Sequence, residues 1–147
     1  MNAYKKPLPD VEEERTAQFW AGTRASQLLV QKCSGCGYLR WPPGSVCPEC
    51  LSWDSDWVPV RPTGTLVSYC VYHRAFNPAF ADDVPYAVGY VELDDGPRMY
   101  GTMVGDPESL AIGLPVHAVF DPVTPDVTLV RWALPLTTDP GDQDPNT

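Results

Sequence analysis

Four of the five cysteines fall in one stretch, CSGCGYLRWPPGSVCPEC, from Cys33 to Cys50. They form two C-x-x-C pairs, Cys33/Cys36 and Cys47/Cys50, with ten residues between the pairs. Each pair makes a knuckle that turns both sulfurs toward one point, and Gly35 and Gly37 supply the backbone freedom such a turn needs. Four converging thiolates suit a tetrahedral ion, and zinc accepts that geometry without redox chemistry. A catalytic zinc keeps a position open for water or substrate, usually with three protein ligands. Four thiolates close the shell, so the spacing predicts a structural metal. Its binding contributes folding energy to a ribbon with almost no core of its own.

The same ligand set suits iron, which can enter on heterologous expression. "CSGCGY" and "CPEC" resemble the two knuckles of rubredoxin. The loop between them is much shorter here, and Leu51 stands where a glycine usually follows the last cysteine. A small iron redox protein is therefore a rival reading.

Other chemistry is sparse. The two histidines, His73 and His117, lie in or beside expected strands, with no nucleophile motif and no paired-histidine spacing. Cys70 sits mid-strand with no identifiable activating base, and free cysteine is often a small buried apolar residue. No catalytic constellation emerges. Binding residues are easier to nominate. Trp41, Pro42 and Pro43 lie between the knuckles, where rigid prolines beside an aromatic preorganise a contact surface. Arg40, Arg61, Arg74 and Arg98 are candidate contacts for phosphates. Phe76 and Phe80 lie in the longest expected loop, Arg74 to Tyr86, as a lid or an interface anchor.

These residues need a scaffold, and the chain outlines one that is mainly β. Residues 1–32 hold a helical segment and a lead-in strand. Asp10 and Glu13 fit a capping box, Glu12 to Glu14 suit a helix N-terminus, and Gly22 fits a stop. Phe19 and Trp20 require that helix to dock. "SQLLVQKC" reads as the strand that feeds the first knuckle. Residues 33–56 form the ribbon. Residues 57–136 carry five β-rich runs, Gly64–Arg74, Pro85–Leu93, Arg98–Gly105, Leu114–Phe120 and Val127–Leu134. Five short strands fit a five-stranded barrel of the oligonucleotide/oligosaccharide-binding (OB) type. In the first run, alternation puts Leu66, Ser68, Cys70 and Tyr72 on one face and Val67, Tyr69, Val71 and His73 on the other. Residues 137–147 read as a disordered acidic tail.

The net charge is −9, with ten basic residues spread along the chain. Nucleic-acid binders neutralise phosphates with clustered cations, so this composition argues against such a partner. The aromatics of "SYCVYH" keep a nucleic-acid-binding ribbon/OB module as the second rival. The first fourteen residues carry no apolar run, so no secretory signal is expected, and no apolar run reaches membrane-spanning length. The expectation is a cytoplasmic protein with no membrane partner.

The order of motifs carries a family resemblance. A helix with Phe19-Trp20 is followed by "LLVQKCSGCGYLRWPPGSVCPEC", "GTLVSYCVYHR", "PYAVGYVELDDGPRMYGTMV" and "IGLPVHAVF". Over roughly residues 8–135 the chain resembles the acyl-CoA-associated OB-fold family with an N-terminal rubredoxin-like zinc ribbon. That family is the thirty-fifth catalogued domain of unknown function. The resemblance implies a non-catalytic accessory subunit of an acyl-CoA enzyme. The implied partner is a thiolase-superfamily protein, which could be a thiolase, a hydroxymethylglutaryl-CoA synthase or a lipid-transfer-protein-like retro-aldolase acting on sterol side chains. It also implies an acyl-CoA thioester as ligand of the complex, and a hetero-oligomer built on a partner dimer.

Overall fold

A computed structural model describes residues 4–135. The expected tail at 137–147 lies outside the described residues.

The first helix, α1 (Ala17–Arg24), begins at Thr16 and not at Asp10. The Asp10 carboxylate accepts instead from the Glu12 N–H, two residues on, at 3.0 Å. The Glu13 carbonyl accepts from the N–H groups of Thr16 and Ala17, at 3.0 and 2.8 Å. These local bonds make a turn that leads into the helix, so the acidic run lies ahead of the first helical turn, which holds no acidic residue. Gly22 is not the stop either. It lies inside α1, where a Cβ would come within 2.8 Å of Leu29 Cγ, so its small size lets the helix press on the next strand. The chain turns at Ser26, with φ 57°.

The ribbon sheet contains β1 (Leu28–Cys33), β2 (Leu39–Arg40) and β3 (Ser55–Val60), antiparallel, in the order β2-β1-β3. β3 crosses the expected ribbon/barrel boundary between 56 and 57, because Leu28–Cys33 pairs along its whole length with Val60–Ser55.

The two knuckles share one backbone pattern. The carbonyls of Cys33 and Cys47 accept from Gly37 and Leu51, each at 2.9 Å. The N–H groups of Cys33 and Cys47 donate to the carbonyls of Tyr38 and Ser52, again at 2.9 Å. Each turn needs a left-handed residue at the same place, Gly37 (φ 78°) in one and Leu51 (φ 65°) in the other. For leucine this conformation is strained.

All five expected barrel strands are present: β4 (Thr63–Tyr72), β5 (Tyr86–Leu93), β6 (Arg98–Thr102), β7 (Pro115–Pro122) and β8 (Thr128–Ala133). They pair in the order β6-β5-β4-β7-β8. A parallel bridge between Met103 and Trp132 joins the two ends, and Val104 N–H donates to the Trp132 carbonyl at 2.8 Å. The result is a nearly closed five-stranded barrel, as the strand pattern predicts.

One face assignment changes. Pairing of β4 with β5 slips between Leu66 and Ser68, which is a β-bulge at Val67. The extra residue inverts the alternation. Leu66 is fully buried, yet Ser68 and Cys70 face outward, while Tyr69 and Val71 pack against the core. The even-numbered residues thus do not share one face.

Helix, ribbon and barrel bury a common core. Phe19 from α1, Leu28 and Val30 from β1, and Leu66, Val91, Leu93, Met99, Val116 and Trp132 from the barrel form one cluster. Trp132 is wholly buried and occupies the space above Gly101, where a Cβ would lie 2.5 Å from its Cδ1.

Two stability changes follow. Gly101→Ala should cost about 2 kcal/mol by overpacking against Trp132, read as a lower denaturation midpoint. Leu51→Gly should stabilise the protein by roughly 0.5 kcal/mol, because relief of the left-handed backbone outweighs the added chain entropy of glycine. The Leu51 side chain is 72% exposed and has little burial to lose.

Candidate metal centre

The sulfurs of the two knuckles meet crosswise. Cys33 Sγ lies 3.5 Å from Cys50 Sγ, and Cys36 Sγ lies 3.6 Å from Cys47 Sγ. All four sulfurs are within 4.8 Å of one another. Sulfurs placed tetrahedrally at 2.3 Å from an ion would be about 3.8 Å apart, whereas a disulfide bond is about 2.05 Å long. The separations fit a metal ion and not a pair of disulfides. The first cysteine of each pair is buried and the second exposed, so both knuckles contribute one inner and one outer ligand.

The electrostatics agree with an ion at the centre. The Cys33 thiol is drawn down to about 6, first by the Cys36 backbone N–H and, against the cost of burial, by Cys50 and the Gly35 N–H. The Cys36 thiol meets the Tyr38 N–H, which alone would lower it. Burial and the surrounding sulfurs of Cys50, Cys47 and Cys33 override that donor and push it up to about 12. Without a cation the four sulfurs cannot all become thiolates; a divalent ion removes that conflict.

The inter-knuckle loop is held from behind. Arg40 is 6% exposed. Its Nε donates to Gln31 Oε1 at 2.8 Å and its Nη2 to the Gly44 carbonyl at 2.9 Å. The same Gln31 oxygen accepts from Gly44 N–H at 2.9 Å. Gln31 and Arg40 thus clasp the loop, and Arg40 is a buried strut whose Nη1 is left without a partner among the described residues. Gln31 had no role in the sequence reading. A polar residue on a strand between Val30 and the first ligand was the available signal. Trp41 rests on Phe19, with ring centroids 4.3 Å apart, and Phe19 meets Trp20 edge-on at 5.0 Å. Trp41 therefore docks the ribbon on α1. Of the neighbouring prolines, Pro42 is exposed and Pro43 half-buried.

The loop after β4 separates its two phenylalanines. Phe76 is 76% exposed, with the Arg74 guanidinium 5.4 Å from its ring centroid. Phe80 is half-buried, stacked on Tyr86 at 5.4 Å, and Lys6 Nζ lies 5.4 Å from its ring centroid. Lys6 also pairs with Asp83 at 2.6 Å. The other candidate cations are engaged: Arg61 with Asp95 at 3.1 Å and Arg98 with Glu92 at 3.2 Å. Arg74 has no carboxylate partner among the described residues. A cleft of about 590 Å³ opens beside Phe80 and Tyr86, and its cations Lys6 and Arg131 are paired with Asp83 and Asp121. His73 is exposed at the end of β4, and His117 is half-buried in β7. The metal-ligand cluster contains neither histidine. No helix of the structure is long and apolar enough to cross a membrane.

Comparison with known proteins agrees with this architecture. Residues 20–54 match the model for the ChsH2 rubredoxin-like zinc ribbon domain, and residues 57–121 match the ChsH2 C-terminal OB-fold domain. The chain is 38% identical over 125 residues to a probable enoyl-CoA hydratase alpha subunit of Thermomonospora curvata. It is 36% identical over 118 residues to the 3-oxo-4,17-pregnadiene-20-carboxyl-CoA hydratase alpha subunit of Mycobacterium tuberculosis. These alignments cover 84% and 80% of this chain but only 38% and 37% of the relatives. A DUF35 domain-containing scaffold protein of Methanocaldococcus jannaschii is 31% identical, over 67% of this chain and 71% of its own. Among solved structures, a chain of the Ltp2-ChsH2(DUF35) aldolase superposes with a TM-score of 0.76 at 35% identity, covering 88% of this chain and 98% of its own. With this fold, four-cysteine cluster and set of relatives, the chain belongs to the DUF35 family of zinc-ribbon and OB-fold proteins.

Proposed function

We propose that this chain is a non-catalytic accessory subunit that binds a thiolase-superfamily enzyme and helps hold or channel an acyl-CoA thioester. The observation that carries the reading is the closed four-cysteine cluster set in a zinc ribbon beside a nearly closed OB-type barrel. Its relatives support it. One is a subunit of benzoylsuccinyl-CoA thiolase from Thauera aromatica, 32% identical over 89 residues, and the matched solved structure is an aldolase complex. A retro-aldolase acting on a sterol side chain is the specific case we favour, since the Mycobacterium tuberculosis relative is named for a pregnadiene carboxyl-CoA. The assembly is a hetero-oligomer built on a partner dimer, in the cytoplasm.

The metal is zinc, held by Cys33, Cys36, Cys47 and Cys50, in a structural role. It draws the knuckles together and so fixes the loop that carries Trp41, Pro42 and Pro43. The exposed members of the nominated surface, Pro42, Arg74 and Phe76, meet the partner or CoA. Arg40 and Trp41 hold that surface in place from within, and Phe80 braces the second loop. Arg74 is the cation we assign to a CoA phosphate, because its rivals are buried or paired.

Three measurements test this. Co-expression with a thiolase-superfamily subunit from the same genome should give a stable complex with activity on an acyl-CoA that neither chain has alone. Two species that migrate independently would overturn the assignment. Metal analysis should find one zinc per chain in a colourless protein, whereas visible absorbance would identify iron. Chelation of the metal should expose all five thiols to alkylation and lower the thermal midpoint, while the metal-loaded chain should present Cys70 as its one fast-reacting thiol.

A further inference from the structure

The bulge at Val67 turns a row of β4 side chains to the outside of the barrel. Beyond it, Ser68, Cys70 and Tyr72 of β4 face outward beside Tyr86, Val88, Tyr90 and Glu92 of β5 and Arg98, Tyr100 and Thr102 of β6. Register arranges these residues in rows. Tyr100, Tyr90 and Ser68 form one row, Thr102, Val88 and Cys70 the next, and Tyr86 with Tyr72 the third. Tyr90 and Tyr100 stack at 4.4 Å, and Tyr72 and Tyr86 at 5.0 Å. Between the two stacks lies a concavity of about 240 Å³, with Cys70 and Val88 in its lining. Tyr100 is 73% exposed.

The composition of this face identifies its occupant. It is aromatic and almost free of net charge in a chain of net charge −9. Tyrosines around a charge-poor centre are what the middle of a protein interface contains. Single-stranded nucleic acid is a poor fit, because a stacking platform for it needs free cations along the strand. Here Arg98 lies over Tyr90 at 5.9 Å and is already paired with Glu92. A second copy would bring another −9 against the first. A different protein, with an apolar patch and a neutral or basic rim, meets neither objection. The face also runs on into the Arg74–Tyr86 loop, because Phe80 stacks on Tyr86.

We infer that the outer face of β4, β5 and β6, centred on Tyr90, Tyr100, Val88 and Cys70, is the docking surface for the thiolase-superfamily partner. The inference rests on the accessory-subunit reading and places the main contact on the barrel instead of on the ribbon.

Cys70 makes the test possible without mutation. Iodoacetamide should label Cys70 in the metal-loaded free chain and at least ten-fold more slowly in the complex, with peptide mapping to separate it from the zinc ligands. Tyr100→Asp should weaken the complex at least 100-fold while leaving zinc content and circular dichroism unchanged. Phe76→Ser, on the neighbouring loop, should weaken it less than ten-fold. Equal labelling of Cys70 in the free chain and the complex, or full binding by Tyr100→Asp, would overturn the docking surface and leave the accessory role intact. Concentration-dependent protection of Cys70 in the chain alone would assign the face to a second copy, and protection by a single-stranded oligonucleotide would assign it to nucleic acid; both outcomes overturn the inference. If the wild-type chain forms no complex with the enzyme, both proposals fall together.

Discussion

The packing of Trp41 on Phe19 is the contact on which the rest of the arrangement depends. Phe19 is almost wholly buried and belongs to the same cluster as Leu28 and Val30 of the ribbon sheet and Trp132 of the barrel. A ribbon of this size cannot bury enough apolar surface to stand alone. It gains a core by setting one indole against a helix that already lies on the barrel. Trp41 is half-buried, so its contact contributes a part of the roughly 3 kcal/mol that full burial of a large aromatic gives. The metal and the aromatic contact have separate tasks. The metal sets the internal shape of the knuckles, and Trp41 sets where they sit.

Around that contact the polar groups fall into two classes. Gln31 and Arg40 are buried, bond to each other and each bond the Gly44 backbone, so they serve geometry. Arg61 and Arg98 lie at the surface in exposed ion pairs, each of small energetic weight. The Asp95 carboxylate is held below its usual range by the Arg61 side chain and backbone N–H, which closes the turn between β5 and β6 onto the start of β4. Few cations are left over for a ligand.

Much of this was legible in the sequence because it is encoded locally. The four ligands follow from C-x-x-C spacing, and the five barrel strands follow from β-branched and aromatic runs between turn residues. What escaped was non-local or involved a competition between motifs. Asp10 and Glu13 have the right spacing for a capping box, but their side chains and carbonyls close a tight turn first. Gly22 reads as a stop by residue type, yet its role is set by Leu29, seven residues on. Arg40 reads as an available cation, and only the fold brings Gln31 and Gly44 around it. The 56/57 boundary cuts through β3, which none of the five expected runs includes, and only pairing assigns it whole to β1. Strict alternation failed in β4 because a single unpaired residue has no signature in a run of uniformly β-prone residues.

That bulged residue separates two histories within one strand. Before it the even-numbered Gly64 and Leu66 answer to the interior of the barrel, and after it the odd-numbered Tyr69 and Val71 do, which frees Ser68 and Cys70 to face outside. A relative that lacks the extra residue could keep the same strand order and closure and yet present a different set of side chains to the world. Overall likeness of fold is therefore a poor guide to whether two such proteins share a partner. The count of residues between Gly64 and Tyr72 is a better one.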